Sequence, residues 1–207
     1  MKLNFKKNTY IFLIILLVLS RGIQAFAIDN NFDVFIKLPL AAEVKVQEIY
    51  TKLSIEKNKF KYTYDVKPTE FINFFDNRVS SGELRGKIIK SIITPEYYLY
   101  VSTKEDFIRR IEFKYVDGLI NDVTVNPEYD KSNLTFVSQD MIKKSIDPVT
   151  MFFILTNYTL LEECNKNLEI FDGKRRYNLK ISDPVIKNQK LECKITQTKI
   201  AGYKKNK

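Results

Sequence analysis

The chain has 207 residues, of which 44% are hydrophobic and 29% charged, a composition that suits one globular domain or at most two. It contains no histidine, which excludes serine–histidine and cysteine–histidine catalytic pairs and removes a ligand from most zinc, copper and non-haem iron sites. The net charge of +9 comes from basic residues that are scattered, without a nucleic-acid-binding motif. We therefore expect no cofactor, no metal and no nucleic-acid partner.

Residues 1–27 have the three parts of a secretory signal peptide. Lysines near the start are followed by an apolar run from Tyr10 to Leu19, which is too short to span a bilayer comfortably. The segment ends in Ala25-Phe26-Ala27, a small-x-small cleavage signature. We predict cleavage after Ala27. The alternative is an uncleaved N-terminal anchor, which is slightly favoured by Arg21 after the apolar run.

Cleavage would leave residues 28–207 as a single β-rich domain in the periplasm, with no integral membrane segment. Export changes how the two cysteines, Cys164 and Cys193, are interpreted, because cysteines in an oxidising compartment usually pair. A disulfide between them would close a loop of about 30 residues and stabilise the fold by roughly 3–4 kcal/mol. The alternative is a pair of buried free thiols.

The first part of this domain is predicted to be a series of strands joined by short turns. Its clearest strand runs from Phe60 to Val66, where large apolar and polar residues alternate with period two. Asp117-Gly118 is a hairpin turn of the type that accepts positive φ, and Thr94-Pro95-Glu96 is predicted to be another turn. The remaining strands are predicted over 31–37, 44–56, 84–93, 97–102, 107–115 and 119–125. A short helix or irregular turn is expected over 68–75, and a polar loop over 126–145.

The strongest helix signal begins at Asp147, a good N-cap residue, which is followed by Pro148 at the first helical position. The apolar run that continues to Tyr158 predicts burial on more than one side. Adjacent residues of a helix diverge by about 100°, so of Phe152 and Phe153 one should contact the sheet and the other a second surface. Three more strands are predicted after the helix, over 168–172, 175–181 and 191–198.

About nine or ten strands in meander order require antiparallel pairing, because short turns cannot make a parallel crossover. The predicted fold is therefore mainly β. We expect a curved antiparallel sheet, or half-barrel, that wraps the one helix in the C-terminal region.

Several short stretches, taken in order, carry a family resemblance that spans most of the predicted domain. They are Ser81-Gly82, Pro95–Tyr98, Arg110–Gly118 with Pro127, Asp147–Thr150, Phe171–Leu179, and Cys193 with Ile200–Tyr203. In these stretches the chain resembles the domain of unknown function 3108, a family of exported bacterial proteins. The resemblance implies a periplasmic protein with a curved antiparallel sheet, similar to the lipoprotein-carrier (LolA/LolB-like) half-barrels. It implies no catalytic residues.

A concave sheet lined by aromatic residues would form an apolar pocket, and an inward arginine could meet a carboxylate or a lipid phosphate. The candidate pocket residues are Tyr62, Tyr64, Tyr98, Tyr100, Phe113, Tyr115, Phe152 and Arg175. The plain alternative is that the aromatic residues form packed core and that the arginine pairs with a nearby acid.

The expected function is a non-catalytic periplasmic protein that binds a lipid or another apolar ligand. The alternative is a structural or interaction protein of cell-envelope assembly with a filled core and an envelope protein as its partner. A hydrolase that uses two carboxylates is less favoured, because no Asp/Glu pair stands out in a motif.

Overall fold

The computed structural model describes residues 26–37, 43–73, 76–89, 92–157, 165–187 and 190–205. Of the expected leader, only Phe26 and Ala27 fall within these ranges, as the first residues of β1. In the described part the chain is mainly β, with ten strands and three short helices. No helix in those ranges is both long and apolar enough to cross a membrane.

The first seven strands form one antiparallel sheet in chain order, the meander that short turns require. Period-two alternation sets the faces of its strands. In β3, Phe60, Tyr62 and Tyr64 are buried, whereas Lys59 before them and Lys61 between the first two are exposed. The strands are β1 (Phe26–Lys37), β2 (Glu43–Glu56), β3 (Lys59–Pro68), β4 (Val79–Ile89), β5 (Ile92–Lys104), β6 (Phe107–Val116) and β7 (Leu119–Asn126).

The last three strands form a second antiparallel sheet, in the order β10-β9-β8. They are β8 (Lys166–Phe171), β9 (Arg176–Lys187) and β10 (Lys190–Ala201). The expectation of one continuous sheet is therefore wrong, although the mainly antiparallel β class is confirmed. About forty residues separate β7 from β8, so no short hairpin turn joins the two strands. Instead Phe171 of β8 stacks on Phe113 of β6, with the ring centroids 5.6 Å apart.

The three helices are α1 (Glu70–Asn73), α2 (Gln139–Lys143) and α3 (Pro148–Asn157). The segment predicted as a polar loop thus contains α2, whose first turn is capped by the Ser138 hydroxyl, which accepts from the Met141 N–H at 3.2 Å. Ile142 is buried, which anchors α2 although its sequence is mostly polar. Helix α3 begins as predicted, and Tyr158 lies outside the described residues.

The turn predicted at Thr94-Pro95-Glu96 is wrong, because these residues lie inside β5. The pairing between β4 and β5 shifts register at this point, so that Gly86 is opposite Pro95 and Arg85 is opposite Tyr97. A bulge accommodates a proline that cannot donate to the strand ladder. The proline therefore marks an irregularity within a strand.

One hydrophobic core lies between the seven-stranded sheet, α3 and β8. Phe153 of α3 contacts the sheet, with its ring 5.2 Å from the Phe60 ring and 5.4 Å from the Tyr62 ring. Phe152 is only partly buried against the same core. Phe153 therefore packs on the sheet while Phe152 lies at the border of the core, as expected for adjacent residues that point in different directions from a helix.

Candidate functional site

The register brings the expected aromatic residues together on one face of the seven-stranded sheet. Tyr62, Leu84, Tyr98 and Phe113 are opposite one another across four neighbouring strands. Directly paired residues of antiparallel strands point to the same face. The next row along the face contains Tyr64, Gly82, Tyr100 and Ile111.

Gly82 makes room for the ring of Tyr64 in this second row. A Cβ at that position would lie 2.4 Å from the Tyr64 hydroxyl oxygen and 2.3 Å from the Leu99 carbonyl oxygen. Because neither the strand backbone nor a buried ring can give way easily, the close approach requires glycine. The packing of Tyr64 is therefore built into β4.

The structure places the expected pocket residues in three environments. Tyr62, Tyr64, Tyr98, Phe113 and Tyr115 are buried members of the core. Tyr100 and Phe152 are partly buried at its border, and Arg175 is exposed. The buried rings contact one another: the Tyr98 and Phe113 centroids are 5.0 Å apart, and Phe113 in turn stacks on Phe171.

The polar centre of this face is Asp147, which the sequence indicated only as a helix cap. Its side chain is fully buried. One oxygen, Oδ1, accepts from the N–H groups of Val149 and Thr150, each at 2.8 Å. The other, Oδ2, accepts from the Tyr115 hydroxyl at 2.6 Å and from the Thr150 hydroxyl. We call Asp147, Tyr115 and Thr150 the Asp147 cluster.

Burial raises the pKa of Asp147 above its ordinary value, against the opposing effect of the hydrogen bonds from Thr150, Tyr115 and Val149. Burial, and then the nearby Asp147 carboxylate, raises the pKa of Tyr115 far above the ordinary value for a phenol. The pKa values of Tyr64 and Tyr98 are raised mainly by burial as well. At neutral pH these phenols therefore stay protonated, and the Tyr115 hydroxyl donates to Asp147.

The Asp147 carboxylate is poorly placed to act on a substrate, because its oxygens already accept hydrogen bonds from the chain itself. Four donors occupy the two carboxylate oxygens, and neither Asp147 nor Thr150 is more than 1% exposed. A general base must reach the proton that it abstracts from a substrate. This carboxylate reaches only groups of its own chain, so its geometry suits joining α3 to β6.

Arg175 forms its contacts within its own turn. Its Nε atom donates to Asp172 Oδ2 at 2.8 Å, and its backbone N–H donates to Asp172 Oδ1 at 2.6 Å. The buried arginine of this stretch is the next residue, Arg176, which is 4% exposed and pairs with Glu169 at 2.5 Å. Arg175 lies in the turn before β9 and Arg176 is the first residue of that strand, whereas the strand predicted from the sequence began at 175.

Two of the cavities in the described part of the chain have none of the five buried rings on their walls. One, of about 510 Å³, is lined by Thr135 and by the chain end around Tyr203. The other, of about 270 Å³, lies beside Arg109 and Tyr129, and Tyr100 is the one expected pocket residue on its wall. No group of three potential metal ligands occurs among the residues the structure describes.

Cys164 lies outside the described residues, and Cys193 is in β10. The register places Lys166, two residues after Cys164, opposite Ile181, and Ile181 opposite Ile195, two residues after Cys193. Because β9 lies between β8 and β10 and neighbouring strands are about 4.8 Å apart, this register does not by itself bring positions on β8 and β10 within the roughly 4.4–6.8 Å Cα separation of a disulfide, and the pairing stays a prediction. No cysteine among the described residues is free.

If the two cysteines form a disulfide, thiol labelling of the denatured, unreduced protein should detect no reactive cysteine. Cys193→Ser should then lower the free energy of unfolding by roughly 3–4 kcal/mol, because the unfolded chain regains the freedom of the open loop. The control is the same labelling after reduction, which should detect two thiols. Two reactive thiols before reduction would refute the pairing.

No family model matches this chain, and comparison with curated proteins and with solved structures yields no match either. The resemblance to the domain of unknown function 3108 and to the lipoprotein-carrier half-barrels therefore stays a prediction, and the site is interpreted from its own geometry.

Proposed function

We propose that this chain is an exported, non-catalytic protein of the cell envelope that acts through its outer surface in envelope assembly. Its aromatic interior, in this proposal, is structural and holds the two sheets and α3 together. Cleavage after Ala27, release into the periplasm and a disulfide between Cys164 and Cys193 belong to the same proposal.

The observation that carries the proposal is that side chains of the protein itself fill the buried face of the seven-stranded sheet and occupy its hydrogen-bond acceptor. The Phe113 ring contacts the rings of Tyr98 and Phe171, and the Phe153 ring lies against Tyr62. The Asp147 cluster has its carboxylate oxygens occupied by donors of the same chain. A face packed in this way supports a filled core.

The outer surface offers an edge on which a partner strand could pair. Among the described strands, β10 pairs only with β9, and its residues from Cys193 to Ile200 are all exposed. Strand edges with unpaired backbone groups are common sites of strand addition by a partner. This edge supports an interaction role for the chain.

The competing proposal is a lipid or another apolar ligand held in the concave face. It needs space beside the aromatic rings, and of those residues only Tyr100 lines one of the two cavities described above. The two proposals differ in a measurable way, namely whether the folded protein takes up an apolar molecule.

Titration of the folded protein with the fluorescent probe N-phenyl-1-naphthylamine should give no saturable binding, because packed rings leave the probe no site. Phe152→Ala should leave this result unchanged, since Phe152 borders a filled core. A lipid carrier measured in parallel serves as the positive control. Saturable binding that a fatty acid displaces and that Phe152→Ala weakens would overturn the proposal and support the apolar-ligand alternative.

A further inference from the structure

The cavity of about 270 Å³ lies at one end of the seven-stranded sheet, beside the turn that joins β5 to β6. We call it the Arg109 cleft. Its wall includes three basic side chains, those of Arg78, Lys104 and Arg109, and one acidic side chain, that of Glu105. The Arg109 cleft is thus a concave site with an excess of positive charge, and the proposed function does not use it.

Two aromatic rings hold the Arg109 guanidinium in place. Its central carbon is 3.8 Å from the centroid of the Tyr129 ring and 5.0 Å from the centroid of the Phe107 ring. Contacts of this kind fix the plane of the guanidinium while leaving its N–H groups to donate at the edge. All three residues line the cleft, so the rings present a preoriented cation to it.

The Arg109 guanidinium also has an unused donor. Its Nε atom is buried and has no hydrogen-bond partner among the described residues. Because this atom is buried, a ligand in the cleft would be bound by the two terminal nitrogens of the guanidinium and not by Nε.

The other polar groups of the cleft complete a donor set. Ser102 is directly opposite Arg109 across the two strands and lines the cleft. Arg78 forms no salt bridge with any described residue, whereas Lys104 contacts Asp76 at 3.5 Å. That pair is exposed at both ends, so it holds the lysine only weakly.

From this arrangement we propose that the Arg109 cleft binds a phosphate group, with Arg109, Arg78 and Ser102 as donors to its oxygens. Arginine suits phosphate because its planar fork matches two of the oxygens. The volume lies just below the roughly 300 Å³ at which pockets for drug-sized ligands begin, so the occupant is a small phosphate compound or a lipid headgroup.

The experiment is calorimetric titration of the exported chain at low salt with inorganic phosphate, with glycerol 3-phosphate, and with phosphatidylcholine vesicles with or without phosphatidic acid. We expect saturable binding of at least one phosphate-bearing probe, weakened about tenfold or more by Arg109→Gln, since the loss of one charge-assisted contact corresponds to that factor. Binding of the soluble probes identifies a free phosphate compound, and binding of the acidic vesicles alone identifies a lipid headgroup.

The matched control is Arg110→Gln, which removes the same charge from the next residue of β6. The Arg110 side chain is exposed and pairs with Glu112 at 2.9 Å. Its substitution should therefore change the affinity for the phosphate probes less than twofold. Arg78→Gln, which alters no salt bridge between described residues, is the second variant should Arg109→Gln fail to fold. Equal losses in Arg109→Gln and Arg110→Gln, or no binding of any phosphate probe by the folded wild type, would overturn the proposal.

Discussion

Phe153→Ala should lower the free energy of unfolding by about 3–5 kcal/mol, the cost expected for removing a fully packed aromatic side chain. Phe153 is 3% exposed, and its ring lies against both Phe60 and Tyr62 of β3. Truncation would leave a cavity between α3 and the sheet, and the rigid β3 cannot move in to close it. Urea denaturation of wild type and variant measures the difference.

The matched control for this prediction is Phe136→Ala. Phe136 is 83% exposed, so its removal should change the free energy of unfolding by less than about 0.5 kcal/mol. A loss below about 1 kcal/mol in Phe153→Ala would contradict the filled core, since a side chain that borders open space has little packing to lose.

Asp147→Ala should lower the free energy of unfolding by roughly 3–5 kcal/mol through two losses. The cap of α3 disappears, at a cost of about 1–2 kcal/mol. The buried hydroxyls of Tyr115 and Thr150 also lose their shared acceptor, and each unsatisfied group costs about 1–3 kcal/mol. Asp147→Asn keeps the side-chain oxygen that caps the helix and should cost less than alanine does. Equal losses in both variants would contradict the assignment of Asp147 as the cap of α3, since the cap is the interaction that asparagine keeps and alanine removes.

The free energies of unfolding of the wild type and of Asp147→Asn should depend differently on pH. Since burial raises the folded-state pKa of Asp147 above the ordinary value of 3.8, the unfolded chain loses this proton at a lower pH than the folded chain does. Protonation of Asp147 therefore raises the free energy of unfolding. This contribution is fully present below the pKa that Asp147 has in the unfolded chain, and it is lost as the pH rises through its pKa in the folded chain. Relative to Asp147→Asn, which does not titrate there, the wild type should lose stability over this window. Denaturation curves of both proteins at a series of pH values test the sign.

The sequence by itself determined the local features of this fold. Period-two alternation predicted the buried face of β3, and Asp117 and Gly118 both adopt the positive φ that their hairpin turn requires. Asp147 and Pro148 marked the start of α3. These features could be predicted because they depend on neighbouring residues, through strand pleat, turn conformation and the exposed amides of a first helical turn.

Tertiary structure decided the division into two sheets and the composition of the sites. Phe171 stacks on Phe113, 58 residues earlier in the chain, and Tyr115 donates to Asp147 across 32 residues. The sequence did not indicate the Arg109 cleft, because Tyr129 follows β7 whereas Arg78 precedes β4. Contacts between elements so far apart depend on how loops return and how faces pack, and neither is determined by the spacing of residues along the chain.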